Sequence, residues 1–368
     1  MSAGEIKIGC VQDTSPEQAS GNQASAEPAF PWPSGSATGV GSMPGTDPAP
    51  ACAVVLEELP DFPFLPELPD RGVGADMIGR TAALLVDLPV ETTPRGWKLA
   101  THPGKDQRRA AGFLSFDLDG IQQAAEGYRG PLKISVCGPL SMAARIELSR
   151  SQNPALSDAG ALADLTSSLA EGLAAHAREV AQRVPGATVV VQVDEPSLPA
   201  VLDGRIRTAS GLNYVRALDQ IVASDTLRTV LEAAGAFTVV HCCAAGVPFL
   251  FIRDAGARAV SFDLGLLERR AIDAVAEVAE SGLGLLVGAV PTVADSTARP
   301  RPPRETAEAV VTLWRRMSLD RDRLAEQVVI TPACGLAGLS PQDARTTLEL
   351  CREAARIGPE MITEGAAE

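Results

Sequence analysis

Aromatic residues make up only 4% of this 368-residue chain, and histidine occurs three times. With so few rings, the core must be assembled from Ala, Val, Leu and Ile. Positive charge is short as well: 32 Lys and Arg stand against 46 Asp and Glu, a formal net charge of −14. That balance repels the phosphates of nucleic acid and argues against it as a partner. No apolar run is long enough to span a bilayer, so a membrane protein is not expected. The amino terminus has neither the basic segment nor the hydrophobic run of a secretory signal. Seven cysteines, an odd number, are then read as reduced thiols in the cytoplasm rather than as a disulfide framework.

The hydrophobic share of 45% and charged share of 21% are ordinary for a globular protein. The length suits one large barrel or doubly wound domain, or two smaller units. Residues 1–36 are rich in Ser, Gly, Ala, Gln, Glu and Pro and read as a poorly ordered tail, with Phe30-Pro31-Trp32-Pro33 its single apolar knot and Cys10 incidental. Residues 37–368 read as one domain. It opens with a short strand closing in a glycine turn, Ala37 to Gly45. Prolines between Pro60 and Pro69 exclude a regular helix and suggest an extended, packed segment. Asp76 to Leu88 reads as helical, and 93–115 as a polar connection without assigned structure.

From about residue 130 onward, apolar strands alternate with helices. The strands are Leu132–Cys137, Thr188–Val193, Phe237–Cys243, Arg258–Phe262, Leu283–Val290 and Val328–Thr331. Helices are expected over Asp158–Arg183, about Asp225–Ala234, Ala271–Glu280 and Glu305–Met317. A closing helix has Ser340 as N-cap, Pro341 at N1 and Asp343 at N3. Strands apolar on both faces need cover on both sides, which means a parallel sheet. Polar residues collect at the carboxyl ends of these strands: Gly41-Ser42, Asp194-Glu195, His241 with Cys243, Asp263 and Cys334. A (β/α)8 TIM barrel gathers such ends on one rim. An open doubly wound sheet spreads them wider, so the barrel is favoured.

Side chains alternate along a strand, so His241 and Cys243 point one way and Cys242 the other. Cys242, Cys137 and Cys351 are read as core, and His176, inside a helix, as a surface or packing residue. His241, Cys243 and Cys334, with Asp263 as a possible fourth ligand, make a soft donor set suited to zinc with one exchangeable position. Zinc lowers the pKa of a bound thiol, which suits a sulfur substrate. The alternative is three unrelated buried residues.

Taken together, His241-Cys242-Cys243, Asp194-Glu195-Pro196, Pro332-Ala333-Cys334-Gly335-Leu336 and Gly41-Ser42 resemble the catalytic barrel of cobalamin-independent methionine synthase. The resemblance covers most of residues 37–357. It implies a single (β/α)8 barrel and transfer of a methyl group to the thiol of homocysteine. It implies Zn2+ held by His241, Cys243 and Cys334, with Asp263 where the family usually has glutamate. Asp194 is implied as partner of the substrate ammonium, with Glu195 assisting it or bracing the turn. Backbone N–H groups at Gly41 and Ser42 are implied as the carboxylate cradle.

The chain departs from the family pattern at one amine-binding position and on the donor side. The family's second strand ends in a glutamate that also holds the amine; here only Glu67 or Asp70 can stand in for it. The histidine expected after the Gly288 strand is missing from Val290 to Asp295, and the tryptophan expected near Gly138 to Ser141 has no counterpart. A folate amine needs a proton to leave, whereas a corrinoid does not. The donor is therefore either a folate or a methylcorrinoid protein. Another acceptor thiol, or a zinc-binding relative without activity, are the remaining readings.

Overall fold

Six of the apolar runs form parallel strands in the computed structural model, which describes residues 1, 30–292 and 301–364. An antiparallel hairpin, β1 (Val90–Thr93) and β2 (Gly96–Leu99), precedes them. The main sheet then runs β3 (Gly130–Cys137), β4 (Ala187–Asp194), β5 (Phe237–Cys242), β6 (Ala259–Asp263), β7 (Gly284–Val290) and β8 (Val328–Pro332), each paired with the next. Helices Ala159–Arg183, Gln220–Ala233, Phe249–Asp254, Ile272–Glu280 and Pro303–Arg316 fall between successive strands, and Pro341–Glu364 follows the last. This is a TIM-barrel-like α/β fold built on a curled six-stranded sheet.

Both edges of the sheet meet extended segments through isolated bridges. Beside β8, Thr38 N donates to Ile330 O and Ile330 N to Ser36 O, each at 3.1 Å. Beside β3, Leu65 N donates to Lys133 O at 2.8 Å and Lys133 N to Pro63 O at 3.0 Å. The two segments join where Glu67 N donates to Gly41 O at 3.0 Å and Met43 N to Glu67 O at 2.8 Å. The proline-punctuated stretch is thus extended and packed, with Phe62, Phe64, Leu65 and Leu68 buried. The glycine-rich stretch pairs only at Ala37 and Ser42 and makes no regular strand.

Packing begins earlier in the chain than its composition suggests. Trp32 is 4% exposed, stacks on Phe62 and donates through Nε1 to Glu326 O at 2.9 Å. With Phe62 it joins Val190, Phe237, Val239, Ala259, Leu286 and Val329 in a separate apolar cluster. Gly284 is required there, because a Cβ would stand 2.8 Å from the indole ring. Residues 30–36 are therefore part of the packed fold: one large ring supplies what a run of small polar residues hides. Residues 2–29, Cys10 among them, lie outside the described residues.

Two further expectations change. Helix Met77–Ala82, capped by Asp76, is shorter than Asp76–Leu88. The unassigned 93–115 connection contains β1–β2 and the start of helix Lys105–Ala124. That helix buries Ala110, Leu114, Asp117, Leu118 and Ile121, a stripe at helical spacing interrupted by a charge. Asp117 is tolerated because Arg71 and Arg80 ion-pair with it. The long helix caps on Asp158, and the closing helix on Ser340, as expected.

Candidate active site

The side-chain alternation of β5 puts His241 and Val239 on one face, and Cys243 follows just beyond the strand. His241 is buried, and its Nδ1 lies 2.8 Å from Ser261 Oγ on β6. Its Nε2 is also buried and has no hydrogen-bond partner among the described residues. Cys334, two residues past β8, brings its Sγ to 3.6 Å from that of Cys243. One ligand atom each from His241, Cys243 and Cys334 lie within 4.8 Å of one another. The contact between the two sulfurs, with the nearby His241 second, pulls Cys334 well below the usual thiol range, and the same contact pushes Cys243 up. A thiol binds a metal as the thiolate, so a cation held here would displace the remaining proton.

An imidazole nitrogen left without a partner, facing a close pair of thiols, fits a soft divalent metal. The partner of Nδ1 fixes the ring so that Nε2 is the free atom. Cys242 is fully buried on the other face, as are Cys137 and Cys351 elsewhere. His176 is a packing residue: it is 3% exposed.

Asp263, at the end of β6, lines a cavity of about 880 Å³ together with Cys243, Cys334 and Gly288. Its carboxylate accepts from Gly265 N at 2.7 Å, and burial pushes its pKa up. It stands outside the close three-residue group.

Asp194 ends β4 directly opposite His241 on β5. It is 8% exposed and accepts from Gln192 Nε2 at 2.7 Å. Burial raises its pKa, opposed by the nearby His241 and by the Gln192 bond. Glu195 points elsewhere. Its carboxylate accepts from Leu140 N at 2.9 Å, Ser141 N at 2.7 Å and Ser141 Oγ at 2.6 Å. It therefore braces the first turn of helix Pro139–Arg145. Burial still pushes it up to about 7, against those three bonds.

Ser42 packs against the Cys334 turn: Leu336 N donates to Ser42 O at 2.9 Å. A Cβ on Gly335 would lie 2.0 Å from Ser42 Oγ, so glycine permits this approach. Of the two acids left open as a second amine partner, Glu67 is the one beside this turn. Its carboxyl carbon would be 3.6 Å from a Cβ on Gly41. Burial pushes Glu67 up to about 7, while Arg80, at 3.4 Å from its carboxylate, and Lys133 oppose that and Asp194 adds to it. Asp70 instead accepts from Gly45 N at 2.9 Å.

Three contributors escaped sequence reasoning: Ser261, Lys133 and Arg80. Each lies within an element read for its apolar pattern, and each has partners far away in sequence. On the donor side, Val290, Pro291 and Thr292 offer no histidine, while Val293 to Asp295 lie outside the described residues.

Fold and site together define an α/β protein with imidazole and thiol side chains collected at the carboxyl ends of parallel strands. The family model "cobalamin-independent synthase, catalytic domain" matches residues 155–357, more than half of the chain, and the chain belongs to that family. Membership makes it a methyltransferase relative of the methionine synthase type. The matched span holds Asp194, His241, Cys243, Asp263 and Cys334. No curated protein matches the chain. Among solved structures, it is similar to a B12-independent methionine synthase from Shewanella sp. W3-18-1 in complex with selenomethionine. That likeness has 17% identity and a TM-score of 0.45, over 68% of this chain and 67% of the other. A GH5_18 protein from Streptomyces cattleya is 15% identical with a TM-score of 0.41, over 91% and 81%.

Proposed function

We propose that this chain is a zinc-dependent S-methyltransferase that converts homocysteine to methionine. The observation that carries the proposal is the meeting of His241, Cys243 and Cys334, with the imidazole Nε2 otherwise unpartnered. In this reading those three residues hold the ion and Asp263 completes the set. Bound zinc would keep the acceptor sulfur as a thiolate at neutral pH.

The chain's own residues then hold the amino-acid end. Asp194, with Glu67 beside it, receives the substrate ammonium, and the backbone at Gly41 and Ser42 receives the carboxylate. Glu195 acts by bracing the turn. The acceptor sulfur attacks the methyl carbon; the new S–C bond forms as the bond to the donor breaks, and the electron pair leaves with the donor. The first two strands of a full (β/α)8 barrel are, in this proposal, segments 36–42 and 63–67, which bridge β8 to β3. A cytoplasmic setting suits the six cysteines that are free thiols among the described residues. No helix among those residues is long and apolar enough to cross a membrane.

The absence of a histidine proton donor at Val290 to Asp295 favours a methylcorrinoid protein over a folate as methyl source. Single-turnover assays with zinc-loaded protein, homocysteine and either methyltetrahydrofolate or methylcobalamin separate the two. Methionine from methylcobalamin alone is expected. Robust turnover with the folate would reject the corrinoid preference, and no methionine from either donor would reject methyl transfer to homocysteine.

A further inference from the structure

Lys133 sits within β3 with none of its surface exposed. Its ammonium donates to Val40 O and to Gln192 Oε1, each at 2.7 Å, and lies 3.4 Å from Ser135 Oγ. The Phe64 ring lies 5.5 Å away. Three acceptors thus meet the three donors of a lysine, which is what makes a buried ammonium tolerable. They belong to three different elements: the segment leading to Gly41-Ser42, β3 itself, and β4. Burial pulls Lys133 down to about 8, with the Asp194 and Glu67 charges opposing, so it remains protonated at neutral pH.

The consequence concerns Gln192. A side-chain amide turned by half a revolution keeps its shape, so its partners alone decide which end is which. Lysine has only donors, so the end of Gln192 that faces it must be the carbonyl oxygen. The amide nitrogen is thereby committed to Val40 O, at 2.9 Å, and to Asp194 Oδ1, at 2.7 Å. Without the ammonium, the Gln192 carbonyl oxygen loses its buried donor, and the amide is held through its nitrogen alone, by Val40 O and Asp194 Oδ1.

We propose that Lys133 is a positioning residue for the amino-acid acceptor: it fixes the Gln192 amide, which in turn fixes Asp194 and the Val40 peptide ahead of Gly41-Ser42. The ammonium-binding and carboxylate-binding parts of the site are held at one spacing by this link. The inference rests on the reading of Asp194 and Gly41-Ser42 as the homocysteine site.

The test uses Lys133→Met and Gln192→Met, singly and combined, in the zinc-loaded full chain. Homocysteine binding is measured by calorimetry beside a simple alkanethiol that lacks the amino-acid group. Each single variant is expected to weaken homocysteine binding roughly 10- to 100-fold, and the double variant no more than the worse single one. Alkanethiol binding and zinc content should not change. Wild-type affinity in Lys133→Met, or losses that simply add, would overturn the inference. If Lys133→Met does not fold, Gln192→Met alone decides, and wild-type homocysteine affinity in it would overturn the link. A wild-type protein that binds the alkanethiol but not homocysteine would instead remove the acceptor reading. The crystal structure of Lys133→Met then decides the positioning claim: Asp194 released from Gln192 supports it, and an unchanged pair overturns it.

Discussion

The sulfur atoms of Cys243 and Cys334 lie 3.6 Å apart although 91 residues separate them in the chain. The fold brings them together by ending β5 and β8 at the same rim, and Gly335 lets the backbone after Cys334 settle against Ser42. Two thiols this close, beside an imidazole with a free nitrogen, form the centre of the functional proposal.

Ser261 orients the imidazole through Nδ1, and removing such a partner costs roughly 10- to 100-fold in metal affinity. Ser261→Ala should therefore weaken zinc binding by that factor while the fold survives. Competition against a chelator of known affinity reads this directly. Unchanged affinity would mean that Ser261 does not set the ring.

Glu195→Ala should act on stability rather than on the metal. It removes the acceptor of two backbone N–H groups and the Ser141 hydroxyl, all buried. Leaving buried donors unsatisfied costs on the order of 3 kcal/mol here. Urea unfolding should show that loss with zinc content retained. Full stability together with lost turnover would restore Glu195 to the chemistry.

Arg80 joins Asp117 and Glu67 inside the fold, with 6% of its side chain exposed. Arg80→Met leaves both carboxylates short of a partner. A loss of about 3–5 kcal/mol is expected, since one half of a buried ion pair remains without compensation. Denaturant midpoints at constant slope check it; a change under 1 kcal/mol would contradict the burial argument.

His176 gives a pH signature of its own, outside the group of His241, Cys243 and Cys334. Burial, with a smaller contribution from Arg80, pulls its pKa from 6.5 to about 3. The folded state then binds fewer protons than the unfolded one between those values, so stability rises with pH across that window. Acidifying from pH 7 to pH 5 should cost about 2 kcal/mol through this residue. His176→Leu should lose that share of the acid sensitivity. An identical pH profile in wild type and variant would show that the group titrates normally.

Much of the site was legible because period-two alternation places His241 with Cys243, and because apolar runs covered on both faces demand a parallel sheet. The strand ends then followed from the runs themselves. Lys133 and Glu67 were harder to read. Lys133 is the one charge in an apolar run and Glu67 one of two acids in a proline-rich stretch, and their partners Val40, Gln192 and Arg80 come from other elements. Helix Lys105–Ala124 was obscured by the charges along it, including an aspartate that packs inward. Trp32 was lost in a composition that resembles a tail, although its ring fills the space that Gly284 leaves open.

The most direct measurement of the central claim is zinc content together with homocysteine calorimetry, wild type against Cys334→Ser. One zinc per chain, with homocysteine binding that depends on it and disappears in the variant, is the predicted result. A purified protein that takes up no zinc, or that binds homocysteine equally well without Cys334, would contradict the account.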